Sequence, residues 1–191
     1  MNALMELWLP IVLSTVFIFI ASSLIHMVLK WHAPDYHGLS NEDAVRASIR
    51  AGNPSPGLYV LPYCKDMKEM ASEAMVAKYN EGPVAFLTVK ANGMPNMGAS
   101  LIQWFLFSLL VVSVAAFLAA QAFGFDADHH HLAVHHIAVI SFVGFGFGSI
   151  CEGIWKGETW GSVAKYLLDA LIYAAVTAAT FYWLWPTATA A

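Results

Sequence analysis

Four stretches of the chain are apolar for long enough to matter before anything else does. From Leu7 to Leu29 there is no Asp, Glu, Lys or Arg, and the run is bounded by Glu6 and Lys30. A second runs from about Leu101 to Phe123, and a third from about Leu132 to Cys151. The fourth, about Tyr166 to Pro186, carries one charge, Asp169. A helix rising 1.5 Å per residue needs roughly 20 apolar residues to cross a hydrocarbon core of about 30 Å. A bilayer interior offers backbone groups no water, so each stretch is predicted to be helical. The first has no basic leader and no small-residue cleavage site, and reads as a retained span rather than a signal peptide.

Between the first two stretches the pattern changes. Ser40-Asn41-Glu42-Asp43 resembles a capping box and opens a short helix that Gly52 closes, while Asn53 to Gly57 forbids its continuation. Leu58 to Pro62 is predicted to be extended, Lys65 to Asn80 helical, and Val84 to Lys90 a strand followed by the Asn92-Gly93 turn. The fold class is therefore an all-α membrane protein. It is a four-helix transmembrane bundle with a small α+β cytoplasmic insertion between spans one and two. The divisions are 1–30 for helix one, 31–100 for the insertion and 101–191 for helices two to four.

Composition strengthens this picture. The 191 residues are 59% hydrophobic and 12% charged, about half the charge of an ordinary soluble domain. A net charge of -4 gives no electrostatic reason to approach nucleic acid. Two cysteines, Cys64 and Cys151, make no disulfide framework. Orientation follows from the nine basic residues. Lys30, Arg46, Arg50, Lys65, Lys68, Lys78, Lys90, Lys156 and Lys165 all fall on one side of a four-span topology. The positive-inside rule makes that side cytoplasmic and leaves both termini periplasmic. Trp8, Trp183 and Trp185 then fall at the outer interface, and Trp31, Trp104, Trp155 and Trp160 at the inner one, as an aromatic belt requires.

The run Leu24 to Tyr36 (LIHMVLKWHAPDY), Asn41 to Val45 and the Tyr59-to-Pro62 stretch carry a resemblance, to which Leu168 to Tyr173 and Trp183 to Pro186 add. On these residues the chain resembles a group of uncharacterised bacterial four-span inner-membrane proteins. The resemblance implies a bacterial inner-membrane location and carries no activity with it.

Candidate chemistry is sparse. His129, His131, His135 and His136 follow Asp126 and Asp128 at the outer end of the third stretch, and imidazoles one helical turn apart can hold Zn²⁺ or Cu²⁺. The depth of His26, near the opposite face from His135 and His136, argues against one haem joining them. A second feature is an intramembrane polar layer of His26, Gln103, Glu152 and Asp169. His26 lies about 6 Å inward of Lys30 and Asp169 about 6 Å inward of Lys165, so the two are expected to be neighbours, within about 6 Å, if spans one and four adjoin. Lys165, four residues before Asp169, offers a local partner instead. The third feature is Gly144-Phe-Gly-Phe-Gly-Ser149, in which Gly144 and Gly148 form a small-xxx-small pair, with Ala170, Ala174, Ala175, Ala178 and Ala179 thinning span four.

Cys64, His32 and His37 have no recognisable partner geometry, and no nucleophile–base pair is apparent, so no catalytic residue is assigned. The expected function is a non-enzymatic accessory or scaffold subunit of a larger membrane complex, with the bilayer and other membrane subunits, or a second copy, as partners. The alternative is a metal-ion- or proton-handling membrane protein, using the outer histidines or the His26–Asp169 layer.

Overall fold

The computed structural model describes residues 3–186 and divides the chain into two compact units. One comprises Met1–Tyr36 with Asn96–Ala191, and the other His37–Pro95. The expected placement of both chain termini concerns residues that lie outside the described ones.

The larger unit is helical. A short α1 (Ala3–Glu6) leads into α2 (Trp8–Ser23), which continues as a π-helical turn over Leu24–Leu29. The next two helices, α3 (Glu42–Ala51) and α4 (Glu73–Glu81), belong to the smaller unit. Three long helices complete the larger one: α5 (Met97–Phe123), α6 (His130–Lys156) and α7 (Trp160–Leu184). Four helical segments, Trp8–Leu29, Met97–Phe123, Ala127–Lys156 and Trp160–Leu184, are long and apolar enough to cross a membrane. The packing forms a closed ring in which α2 adjoins α5 and α7, and α6 adjoins α5 and α7. The first and the last of these four segments are thus in contact. Ile11, Ile18, Val112, Ala115, Ala116, Ile137, Tyr173 and Phe181 fill the interior.

Glycines set how closely the helices approach, though on different faces from those expected. A Cβ at Gly144 would come within 2.9 Å of Val111 on α5, and one at Gly146 within 2.9 Å of Ala170 on α7. Gly148 meets nothing within 4 Å. Residues two apart on a helix point to nearly opposite sides, so Gly144 and Gly146 let α6 sit between two neighbours. Gly144 and Gly148 do not act as one seam inside the bundle. Buried hydroxyls bond within their own helices, Thr15 to the Ile11 carbonyl, Thr177 to Tyr173 and Thr180 to Val176.

The smaller unit contains α3 (Glu42–Ala51), β1 (Gly57–Leu61), α4 (Glu73–Glu81) and β2 (Ala85–Val89). The strands pair antiparallel, Tyr59 opposite Leu87. The helix expected over 65–80 is shorter. A 3₁₀ turn occupies Met67–Glu69, and α4 starts only after Ser72, whose Oγ accepts the Met75 N–H at 3.3 Å. A serine cap in extended backbone fixes a start that hydrophobic spacing alone places too early.

Candidate metal centre

The first apolar helix ends in a way that builds a site. Widening to a π-turn carries the Lys30 N–H onto the Ile25 carbonyl at 2.8 Å, and Lys30 takes the left-handed conformation, with φ of 53°. Such π-turns interrupt helices where side chains must be re-aimed. The chain turns at that point, and a 3₁₀ turn over Ala33–Asp35, with Pro34 in its first positions, completes the bend. Trp31 and His32 therefore turn back against α7.

Both oxygens of one carboxylate receive them. Trp31 Nε1 donates to Asp169 Oδ1 at 3.0 Å, and His32 Nε2 lies 2.8 Å from Asp169 Oδ2. Asp169 is only 3% exposed and His32 6%. A carboxylate in that setting requires such partners, because an unpaired buried charge is costly. His26, carried by the π-turn, brings its Nε2 to 3.8 Å from Asp169 Oδ2. Its ring stacks on His32 with centroids 5.0 Å apart, and His32 stacks in turn on Tyr166 with centroids 4.7 Å apart.

A second layer holds these groups. Asp35 Oδ2 faces His32 Nδ1 at 3.4 Å, and Asp35 Oδ1 accepts from Lys165 Nζ. The hydrogen bond from Lys165 is the main reason that the Asp35 carboxyl sits below the usual carboxylate range; its burial opposes this, and the lysine charge and His32 add to it. Among the described residues, neither His32 Nδ1 nor Asp35 Oδ2 has a hydrogen-bond partner. With its proton on Nε2, where it donates to Asp169, His32 presents a bare nitrogen to a carboxylate oxygen.

One donor atom from each of His26, His32 and Asp169 can be chosen so that all lie within 4.8 Å of one another. Donors around a tetrahedral ion with bonds of about 2.1 Å stand about 3.4 Å apart. Shifts of well under an ångström bring the two separations from Asp169, 2.8 Å and 3.8 Å, to that spacing. The histidine–histidine separation, within 4.8 Å, closes on it by a rotation of the half-exposed His26 ring. Among the described residues no other group of three or more His, Cys, Asp or Glu side chains comes together this way.

The remaining sequence candidates fall elsewhere. Gln103 is exposed on α5. Glu152 pairs with Lys156 one turn along its own helix, at 2.7 Å. The polar layer thus contains His26 and Asp169 but is completed by His32 rather than by Gln103 and Glu152. Lys165 does not pair with Asp169, since the 31–36 turn supplies Asp35 to it. The outer histidines gather no three-donor set. His129 lies 3.8 Å from Asp126, His136 Nδ1 lies 2.8 Å from the Leu132 carbonyl, and His131 sits beside Tyr182. His131 and His135 are both exposed. Among the described residues, His129, His131, His135 and His136 thus offer Zn or Cu no preformed set of three ligands.

Sequence reasoning missed His32 because depth counted outward from Lys30 takes it away from the bundle. The available signal was the aromatic-His-Ala-Pro-Asp run at 31–35, whose proline and acid favour a turn directly after the helix. No family model, curated protein or solved structure matches this chain.

Proposed function

We propose that the chain is a membrane protein that holds a divalent first-row transition ion between His26, His32 and Asp169, at the lysine-rich end of its helical bundle. Two imidazoles and one carboxylate suit Zn²⁺, Fe²⁺ or Mn²⁺, and three protein ligands leave a coordination position open. The supporting observation is the way the ligands are held. With an ion on His32 Nε2, the ring proton moves to Nδ1, where it meets Asp35 Oδ2 and satisfies both partnerless atoms at once. A metal-bound histidine that donates its other N–H to a carboxylate is the usual outer-shell arrangement. Trp31 does the same for the carboxylate ligand by bonding its second oxygen. Lys30, Lys156 and Lys165 flank this end, which under the positive-inside rule favours a cytoplasmic-side site; the membrane in this reading is a bacterial inner membrane.

The accessory-subunit reading has less behind it. Gly144, Gly146, Ala170 and Ala174, part of the small-residue set that suggested association, are used in packing this chain's own helices or buried within them.

The test is titration of the metal-free protein with Co²⁺, whose visible spectrum reports coordination, followed by displacement with Zn²⁺. One ion per chain is expected. His26→Ala, a substitution at a side chain 44% exposed, should weaken binding by at least the roughly 10–100-fold that losing a supporting partner costs, with the melting temperature of the metal-free protein unchanged. Replacing His129, His131, His135 and His136 together by alanine should leave that ion in place. Absence of a stoichiometric ion, or its loss only in the outer-histidine variant, would overturn the proposal and leave the cluster as a hydrogen-bonded clamp between the 31–36 turn and α7.

A further inference from the structure

We infer that the cleft between α2 and α5 receives a single-chain amphiphile with an anionic oxygen headgroup, of which a long-chain carboxylate is the simplest, and that the headgroup occupies the open coordination position beside His26. This rests on the metal reading above and specifies its ligand. The cleft has a volume of about 520 Å³, within the range of pockets that enclose small ligands, and His26 is part of its lining. Phe19, Met27, Leu101 and Trp104 make its walls apolar, with Ser100 among the few polar groups. Met27 and Leu101 are 66% and 43% exposed on the bundle surface, where an embedded protein meets acyl chains. A hydrocarbon tail can thus lie along the cleft while its head reaches the histidine.

Charge selects the head. An ion of charge +2 held by one carboxylate and two neutral imidazoles leaves the centre at +1. Asp35 is already engaged by Lys165, and no Asp or Glu is among the residues lining the cleft. An anionic oxygen on the open position balances the centre, whereas a cationic head would be repelled by it.

The experiment uses the full chain in lipid nanodiscs, loaded with Co²⁺. Dodecanoate should change the Co²⁺ spectrum at concentrations at least ~100-fold below those at which acetate does, since burying its methylenes adds binding that acetate lacks. Dodecanol, with the same tail and no charge, should leave the spectrum unchanged. Ser100→Phe, which fills the cleft, should retain the Co²⁺ spectrum and respond to dodecanoate only as it does to acetate. Equal potency of dodecanoate and acetate, or an unaltered response in Ser100→Phe, would overturn the inference while leaving the metal site standing. A separate arm needs no ion: bromine-labelled dodecanoate should quench fluorescence in the native chain more than in Trp104→Phe. Quenching without Co²⁺ binding would sink the metal reading and keep the cleft as an amphiphile site. Equal quenching in the two proteins would sink the cleft itself.

Discussion

His32 and Asp169 are 137 positions apart in the chain and 2.8 Å apart in space. Their contact joins the turn after the first apolar helix to the interior of the last. It converts an isolated acid within an apolar segment into the centre of a network that runs from His26 through Asp169 and His32 to Asp35 and Lys165.

Asp169 should therefore be the most sensitive polar position in the bundle. Asp169→Leu leaves the Trp31 N–H and His32 without their acceptor and is expected to cost about 3–5 kcal/mol. Asp169→Asn keeps an acceptor oxygen and should cost about 1–3 kcal/mol. Unfolding in detergent, followed by helical circular dichroism, checks the order. Equal costs would mean that the two hydrogen bonds contribute nothing beyond filling space.

Asp35→Asn probes the outer layer. The variant retains the size of the side chain but cannot carry the charge that His32 and Lys165 face. Ion affinity is expected to fall about 10–100-fold, measured by the same Co²⁺ titration, with the stoichiometry still one per chain. Unchanged affinity would remove Asp35 from the site.

The two glycine positions on α6 should behave oppositely. Gly146→Ala forces a methyl to within 2.9 Å of the Ala170 Cβ, which has no flexible end to move aside, and should destabilise the bundle by about 1–3 kcal/mol. Gly148→Ala meets open space and should be neutral or stabilising by up to about 1 kcal/mol, from helix propensity. A comparison of the two melting curves decides this.

Topology is open to a direct check. The one-sided distribution of lysine and arginine predicts that a reporter active only in the cytoplasm is silent when fused after Ala191 and active when inserted in the 31–100 segment. The reverse pattern would invert the orientation and place the proposed metal centre on the periplasmic face.

Hydrophobic length and charge placement specify the large features without help from tertiary structure. An uncharged run of some twenty residues has few alternatives to a long helix in an apolar medium, and the four helical segments fall where those runs lie. Helical rise alone put His26 and Asp169 at matching depth, and their side chains do approach, because α2 and α7 are neighbours in the ring. What the chain could not announce is what happens where helices end. The π-turn, the left-handed Lys30 and the bend through Pro34 depend on a fit against α7, and this fit brings in His32 while leaving Gln103 and Glu152 outside. Depth along an axis is a one-dimensional quantity carried by residue number. The direction in which a side chain faces around that axis, and the path of a turn between helices, are set by contacts between residues far apart in the chain.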